Sequence, residues 1–238
     1  MIGLAHAIPL AQVQIRERTD TCVSDNGFCP KWIADNLDRY VDPFWQHVYL
    51  TLVSLAIGFA ISFALALLAH RRRWLVGPIT QVTGILYTLP SLAVFFLLLP
   101  VTGRGNTTAI IALVAYTLLI IFRNIIGGLD NVPAETRDAG RGMGLTERQL
   151  LWRVELPLAL PEILAGLRIA ATTTVGLATL AFFAGAGGLG EQIFADISFK
   201  SNVAVAGGAA VLLAAALDAL ILLVQRAVTP WTRARSTA

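Results

Sequence analysis

The chain has 238 residues, of which 56% are hydrophobic and only 14% charged, against roughly 25% charged in an average soluble domain. With a mean hydropathy of +0.69, this composition excludes an ordinary soluble globule and makes the apolar span the unit to count. The net charge of +3 comes mostly from arginine, since Lys31 and Lys200 are the only lysines; those arginines flank apolar runs, which points to membrane topology rather than to nucleic acid.

The N-terminus, MIGLAHAIPLAQVQIRERTD, lacks a basic start, and its short apolar stretch is broken by Pro9. It does not read as a signal peptide, so the first span must insert the protein itself. Cys22 and Cys29 come next in CVSDNGFC, where six intervening residues can close a small disulfide loop in an oxidising compartment. The alternative is two thiols in a tail. From Lys31 to Gln46, aromatic and apolar residues alternate with acids and amides, which suits a short amphipathic helix on the membrane surface or an irregular linker. Residues 1–45 therefore read as an extracytoplasmic segment.

About five helical spans come after it, because a bilayer core about 30 Å thick needs roughly 20 apolar residues in a helix. The first runs from about His47 to His70 and is followed at once by Arg71, Arg72 and Arg73. The second runs from about Ile79 to Val101; Pro90 in its middle removes a backbone bond, so a kink and a freed carbonyl are expected. The third covers about Thr108 to Gly128. Next comes a long loop, DNVPAETRDAGRGMGLTERQLLWRVELPLALPEIL. In it Asp138, Ala139 and Arg141 open a short helix that Gly142 and Gly144 end. Thr146, with Gln149 three residues on, caps a second. Leu150, Leu151 and Val154 form an apolar stripe, and Pro157 and Pro161 stop or bend the helix beyond it. Such a pair of helices suits a partner's groove or the protein's own bundle.

The fourth span, about Ile163 to Ala184, carries Thr172, Thr173, Thr174 and Gly176. They offer a small, weakly polar face that lines a solute path or packs against a neighbour. The fifth, about Val203 to Val228, holds Asp218, an intramembrane carboxylate that needs a partner; Arg123 and Arg168 are the candidates. The transmembrane domain is thus 46–228, with a tail at 229–238. Arg71–Arg73, Arg137, Arg141, Arg148, Arg153, Arg226, Arg233 and Arg235 fall on one side by alternation. That predicts an outside N-terminus and a cytoplasmic loop and C-terminus.

Enzyme chemistry has no constellation here. His6, His47 and His70 are far apart and suggest no metal site, and no serine has a nucleophile-elbow setting. GAGGLG at 185–190 comes after a membrane helix rather than a strand, so it reads as a tight turn, not a dinucleotide loop. Neither lysine is preceded by a glycine, which rules out a P-loop. The chain binds no cofactor of its own by this reading; ATP would be bound by another polypeptide.

The loop resembles that of bacterial ABC importer permeases: E-A-A, three residues, Gly, nine residues, I-x-L-P. Here Asp138, Ala139 and Gly140 are followed at that spacing by Gly144 and then by Val154, Glu155, Leu156 and Pro157. Asp stands for Glu, Gly140 for the second Ala and Val for Ile; Gly140 is expected to loosen the first turn by roughly 1 kcal/mol relative to Ala. LYTLPSLAVFFLLLP, LLIIFRNIIGGLDNVP and GAGGLGEQIF resemble the glycine betaine/carnitine/choline permeases, over roughly 46–228. The resemblance implies an all-α integral membrane fold whose coupling helix lies between spans three and four. It also implies a second permease chain, a separate ATPase that binds ATP and Mg, an external substrate-binding protein, and an osmoprotectant as cargo. Competing readings are an ATP-independent secondary transporter or channel subunit, which gives no reason for the spaced loop, and a membrane scaffold.

Overall fold

The computed structural model describes residues 21–231. The readings of the N-terminal sequence, with His6, and of Arg233 and Arg235 lie outside the described residues. Among the described residues eleven α-helices succeed one another: α1 (Thr21–Ser24), α2 (Pro30–Asp35), α3 (Val41–Arg71), α4 (Val76–Thr88), α5 (Ser91–Thr102), α6 (Asn106–Asp130), α7 (Ala134–Gly142), α8 (Glu147–Leu150), α9 (Leu156–Ala178), α10 (Leu189–Ala195) and α11 (Lys200–Val228). There is no strand among the described residues, as expected where a low-dielectric surround forces every backbone group to be satisfied within its own segment.

Among the described residues three helices are long and apolar enough to cross a membrane: Leu37–Arg71, Asn106–Asp130 and Lys200–Val228. The α4–α5 pair makes a fourth if it counts as one span, but it is bent by 97°. The expected second span, Ile79 to Val101 with a kink, is therefore broken. Leu89 (φ −64, ψ 137) and Pro90 (φ −58, ψ 125) are both extended. Proline lacks the N–H and also pushes the preceding residue out of the helical region, so two successive residues leave the helix. The expected fourth span is shifted: α9 begins at Leu156, seven residues before Ile163, and ends at Ala178, with a 3₁₀ turn over Ala181–Ala184. Pro157 and Pro161 do not stop it. α9 also carries Glu162 and Arg168.

α6 is the central post. Over its most apolar stretch 56% of the residues are buried, against 11% in α11, so α6 organises the core and α11 presents most of its face outward. Ile121, Phe122, Ile125 and Leu129 of α6 are fully buried against α3 and α9. Glycine lets these helices close: a Cβ on Gly166 of α9 would lie 2.3 Å from Asn124 Cβ of α6.

At one end of the bundle, a disulfide joins Cys22 and Cys29 and the loop is clamped to the start of α11. Cys29 N–H donates to Ser201 Oγ at 2.7 Å, Ser201 Oγ donates to Gly27 C=O at 3.0 Å, and Tyr40 Oη donates to Asn202 Oδ1 at 2.7 Å. The segment 31–46 is not one surface helix. Asn36 separates α2 from a 3₁₀ turn over Leu37–Tyr40, and Val41 onward already belongs to α3. Gly185, Gly187 and Gly188 all have positive φ, and a Cβ on Gly190 would lie 1.7 Å from Thr179 C=O. That stretch is a turn that only glycine can make.

Candidate functional site: a two-helix loop at the arginine-rich end

At the opposite end, where Arg73 of the α3–α4 link pairs with Asp130 of α6, α7 and α8 form a hairpin. α7 starts at Ala134 after an extended Pro133, so Asp138 lies in mid-helix rather than opening it. The helix ends in a left-handed glycine cap. Gly144 has φ +82, its N–H donates to Arg141 C=O at 2.9 Å, and Leu145 N–H donates to Gly140 C=O at 3.2 Å. This double bond pattern needs glycine at 144. Gly140 is buried, and a Cβ there would sit 2.6 Å from Leu150 Cδ1. It therefore permits α7 to lie on α8, rather than loosening a first turn.

Thr146 caps α8 reciprocally: Gln149 N–H donates to Thr146 Oγ1 at 3.4 Å, and Thr146 N–H donates to Gln149 Oε1 at 2.9 Å. A π-helical turn over Leu151–Glu155 then joins α8 to α9, with Leu156 N–H donating to Leu151 C=O. The wider turn suits Pro157, whose ring would clash with the Arg153 carbonyl in a regular helix.

Burial divides the loop into base and tip. Leu150, Leu151 and Leu156 are buried and Val154 and Pro157 half-buried, whereas Asp138, Ala139, Arg141, Gly142, Met143 and Gly144 are exposed, Met143 by 75%. At the tip Arg141 Nε donates to Glu147 Oε1 at 2.9 Å and Arg141 Nη1 to Asp138 Oδ1 at 3.3 Å. The hydrogen bond from Arg141 holds the Glu147 carboxyl below its ordinary value.

The base is fastened by a buried carboxylate that sequence reasoning missed. Glu155 is 4% exposed; its Oε1 accepts from Arg137 Nε of α7 at 2.8 Å, and its Oε2 meets His70 Nε2 of α3 at 2.9 Å. Arg137 also donates to Leu129 C=O of α6. One anion thus ties the loop to α3, and its cation to α6. A buried charge stays only where it is paired. The available signal was a lone Glu155 between apolar Val154 and Leu156, but its partners, 85 and 18 residues away, carry no sequence pattern.

The other candidate residues scatter. Arg168 and Asp218 meet, Nε to Oδ1 at 2.8 Å and Nη2 to Oδ2 at 2.8 Å, joining α9 to α11. Arg123 is exposed and makes no ion pair with Asp218. Thr172 Oγ1 turns back onto Arg168 C=O at 3.1 Å and Thr174 Oγ1 onto Ala170 C=O at 2.7 Å. Their polarity is therefore spent on their own helix. Thr173 is half-buried and Gly176 exposed. At the Pro90 break, the Leu89 carbonyl accepts from Tyr116 Oη of α6 at 2.6 Å. Among the described residues no three His, Cys, Asp or Glu gather as metal ligands do.

The geometry, a helical bundle with an anchored two-helix loop at one end, has close counterparts. The chain is 35% identical over 187 residues to the glycine betaine/carnitine/choline transport system permease protein OpuCB of Bacillus subtilis (strain 168), covering 78% of this chain and 86% of that one. It is 33% identical over 229 residues to the choline transport system permease protein OpuBD of the same organism, covering 95% and 97%. An inward-facing structure of the MetNI methionine ABC transporter superposes with a TM-score of 0.68 at 26% identity, covering 80% of this chain and 96% of that one. The sequence pattern of binding-protein-dependent transport system inner membrane components matches residues 50–234. With most of its length inside that match, the chain belongs to the family of binding-protein-dependent transport system inner membrane components, multi-pass membrane proteins of transport systems.

Proposed function

We propose that the chain is the permease subunit of an ATP-driven importer, carrying a compatible solute such as glycine betaine, carnitine, choline or proline. Relatives named for such solutes align over most of its length. The observation that carries the reading is the loop 138–157, exposed at its tip and fastened at its base by Glu155. A partner that pushes the tip moves α7 and α8 together, because Gly140 lets them pack and Gly144 fixes their turn. Through His70 and the unbroken run into α9, the displacement reaches two bundle helices. In this reading Asp138, Ala139, Gly140, Gly144, Val154, Leu156 and Pro157 form the coupling element. It docks on a cytoplasmic ATPase that binds ATP and Mg.

The rest of the assembly accords with the same reading. Five crossings are α3, the broken α4–α5 pair, α6, α9 and α11. Residues 1–45 lie outside, where a substrate-binding protein delivers solute, 46–228 form the transmembrane domain, and 229–238 lie in the cytoplasm. A second permease chain completes the pathway, with Pro90, Thr173 and Gly176 as its candidate lining.

The test is purification of the tagged chain from native membranes in mild detergent, beside Gly144→Arg, with mass spectrometry of the companions. The expected result is an ATPase that accompanies the parent and is lost from the variant, while the variant's bundle stays folded. A well-folded parent complex with no ATPase in it would refute the importer reading and favour an ATP-independent transporter.

A further inference from the structure

Two clefts meet beside the last turn of α3. One, of about 490 Å³, is bordered by His70, Arg71, Glu147, Arg148, Leu151 and Glu155. The other, of about 350 Å³, is bordered by Leu67, Leu68, Arg71, Arg148, Leu151 and Trp152. Arg71, Arg148 and Leu151 belong to both, so the two form one amphipathic groove with the arginines at its waist.

The charges in the polar half do not cancel. Glu155 is held by His70 and Arg137, and Glu147 by Arg141. Among the described residues, Arg71 and Arg148 have no ion-pair partner. Two guanidinium groups therefore face one cleft whose carboxylates are engaged elsewhere. A guanidinium is matched to phosphate by its planar fork of donors. The second half is apolar and open: Leu68 is 46% exposed and Trp152 51%. Leu68 continues the outward face of α3 that includes Ile57 and Ile61, a surface of a membrane-spanning helix. Trp74, 70% exposed just beyond Arg73, marks the same level as an interface, where tryptophan collects.

An anion between two arginines, with an alkyl chain leading from it along leucine and tryptophan, is the outline of one molecule. We propose that this groove binds an anionic glycerophospholipid, its phosphate between Arg71 and Arg148 and one acyl chain along Leu67, Leu68 and Trp152. Basic pockets at a membrane face recognise such headgroups. A free phosphate would leave the apolar half unfilled. The bound lipid bridges α3 to α8 and the π turn, at the base of the exposed loop. The inference rests on the chain's place in a membrane and is independent of whether an ATPase couples to the loop.

The test is native mass spectrometry of the full chain with whatever companions it retains, delipidated and titrated with phosphatidylglycerol, phosphatidylcholine, glycerol phosphate or inorganic phosphate. Phosphatidylglycerol should be retained over phosphatidylcholine. Arg71→Gln with Arg148→Gln should reduce that preference roughly thirtyfold, whereas Arg72→Gln, outside the groove, should leave it intact. Should the double variant fail to fold, Arg71→Lys with Arg148→Lys keeps the charge but loses the fork and should weaken the preference less than the glutamine pair would; the comparison of lipids on the parent chain needs no variant. Equal retention of the two lipids, or an undiminished preference in the glutamine variant, overturns the proposal. Inorganic phosphate bound as well as the lipid makes this a free-anion site and overturns it too. So does a glutamine variant that sheds a companion protein while keeping its lipid.

Discussion

Glu155 is the residue on which most of the loop's geometry depends. Replacing it with Gln keeps the shape but leaves Arg137 and His70 facing an uncharged group in a buried place. We expect a loss of roughly 3 kcal/mol, read as a lower unfolding midpoint in detergent; an unchanged midpoint would show that the cluster fastens nothing. Asp218 differs because it and Arg168 are partly open, with side chains 35% and 29% exposed. Asp218→Asn should lower the midpoint less than Glu155→Gln does. Adding Arg168→Gln should cost little more, since the partner has already lost its anion. Strict additivity of the two changes would mean that the pair is not coupled. Asp218 was legible in the sequence because a carboxylate in an apolar run is conspicuous. Which arginine it meets was not, since two candidates lay on different helices and only the rotation of α9 decides between them.

At the level of elements, the loop was largely readable and the spans less so. The Thr146 box and the Gly144 cap are local chemistry, written within a few residues, and both occur in the structure. Thr146→Ala should cost about 1 kcal/mol and speed amide exchange in α8 while α9 keeps its protection; equal loss along α9 would contradict a local cap. The true start of α7 and the unbroken passage through Pro157 and Pro161 were not readable. The wider turn over Leu151–Glu155 accommodates Pro157, and no pattern of residues announces a π turn; Pro161 lies inside α9 itself. Pro90 was recognised as a disturbance, yet its size depended on Leu89 leaving the helix as well, with Tyr116 of α6 ready to take the stray carbonyl.

Across the molecule, the two ends are built differently. One is held by a covalent loop and hydroxyl contacts to α11, the other by ion pairs around Glu155. Replacing Cys22 and Cys29 by Ser should therefore cost about 2 kcal/mol, with faster exchange at 21–40 and at the first turn of α11. The α3–α6–α9 core should stay as it was, and a loss shared by that core would show the ends to be energetically linked. The alternation of apolar runs made a helical membrane bundle plain from composition. How the helices sit on one another was hidden, because close approaches such as Gly166 to Asn124 join positions far apart in the chain. The π turn also makes the chain tolerant of shortening at one place. It stores a surplus residue, so deleting the exposed Arg153 together with Pro157→Ala can collapse it to an ordinary helical turn, and the flanks keep their phase. One residue removed from the middle of α9 has no such reserve; everything on one side of the cut rotates by about 100°, and Arg168 swings away from Asp218.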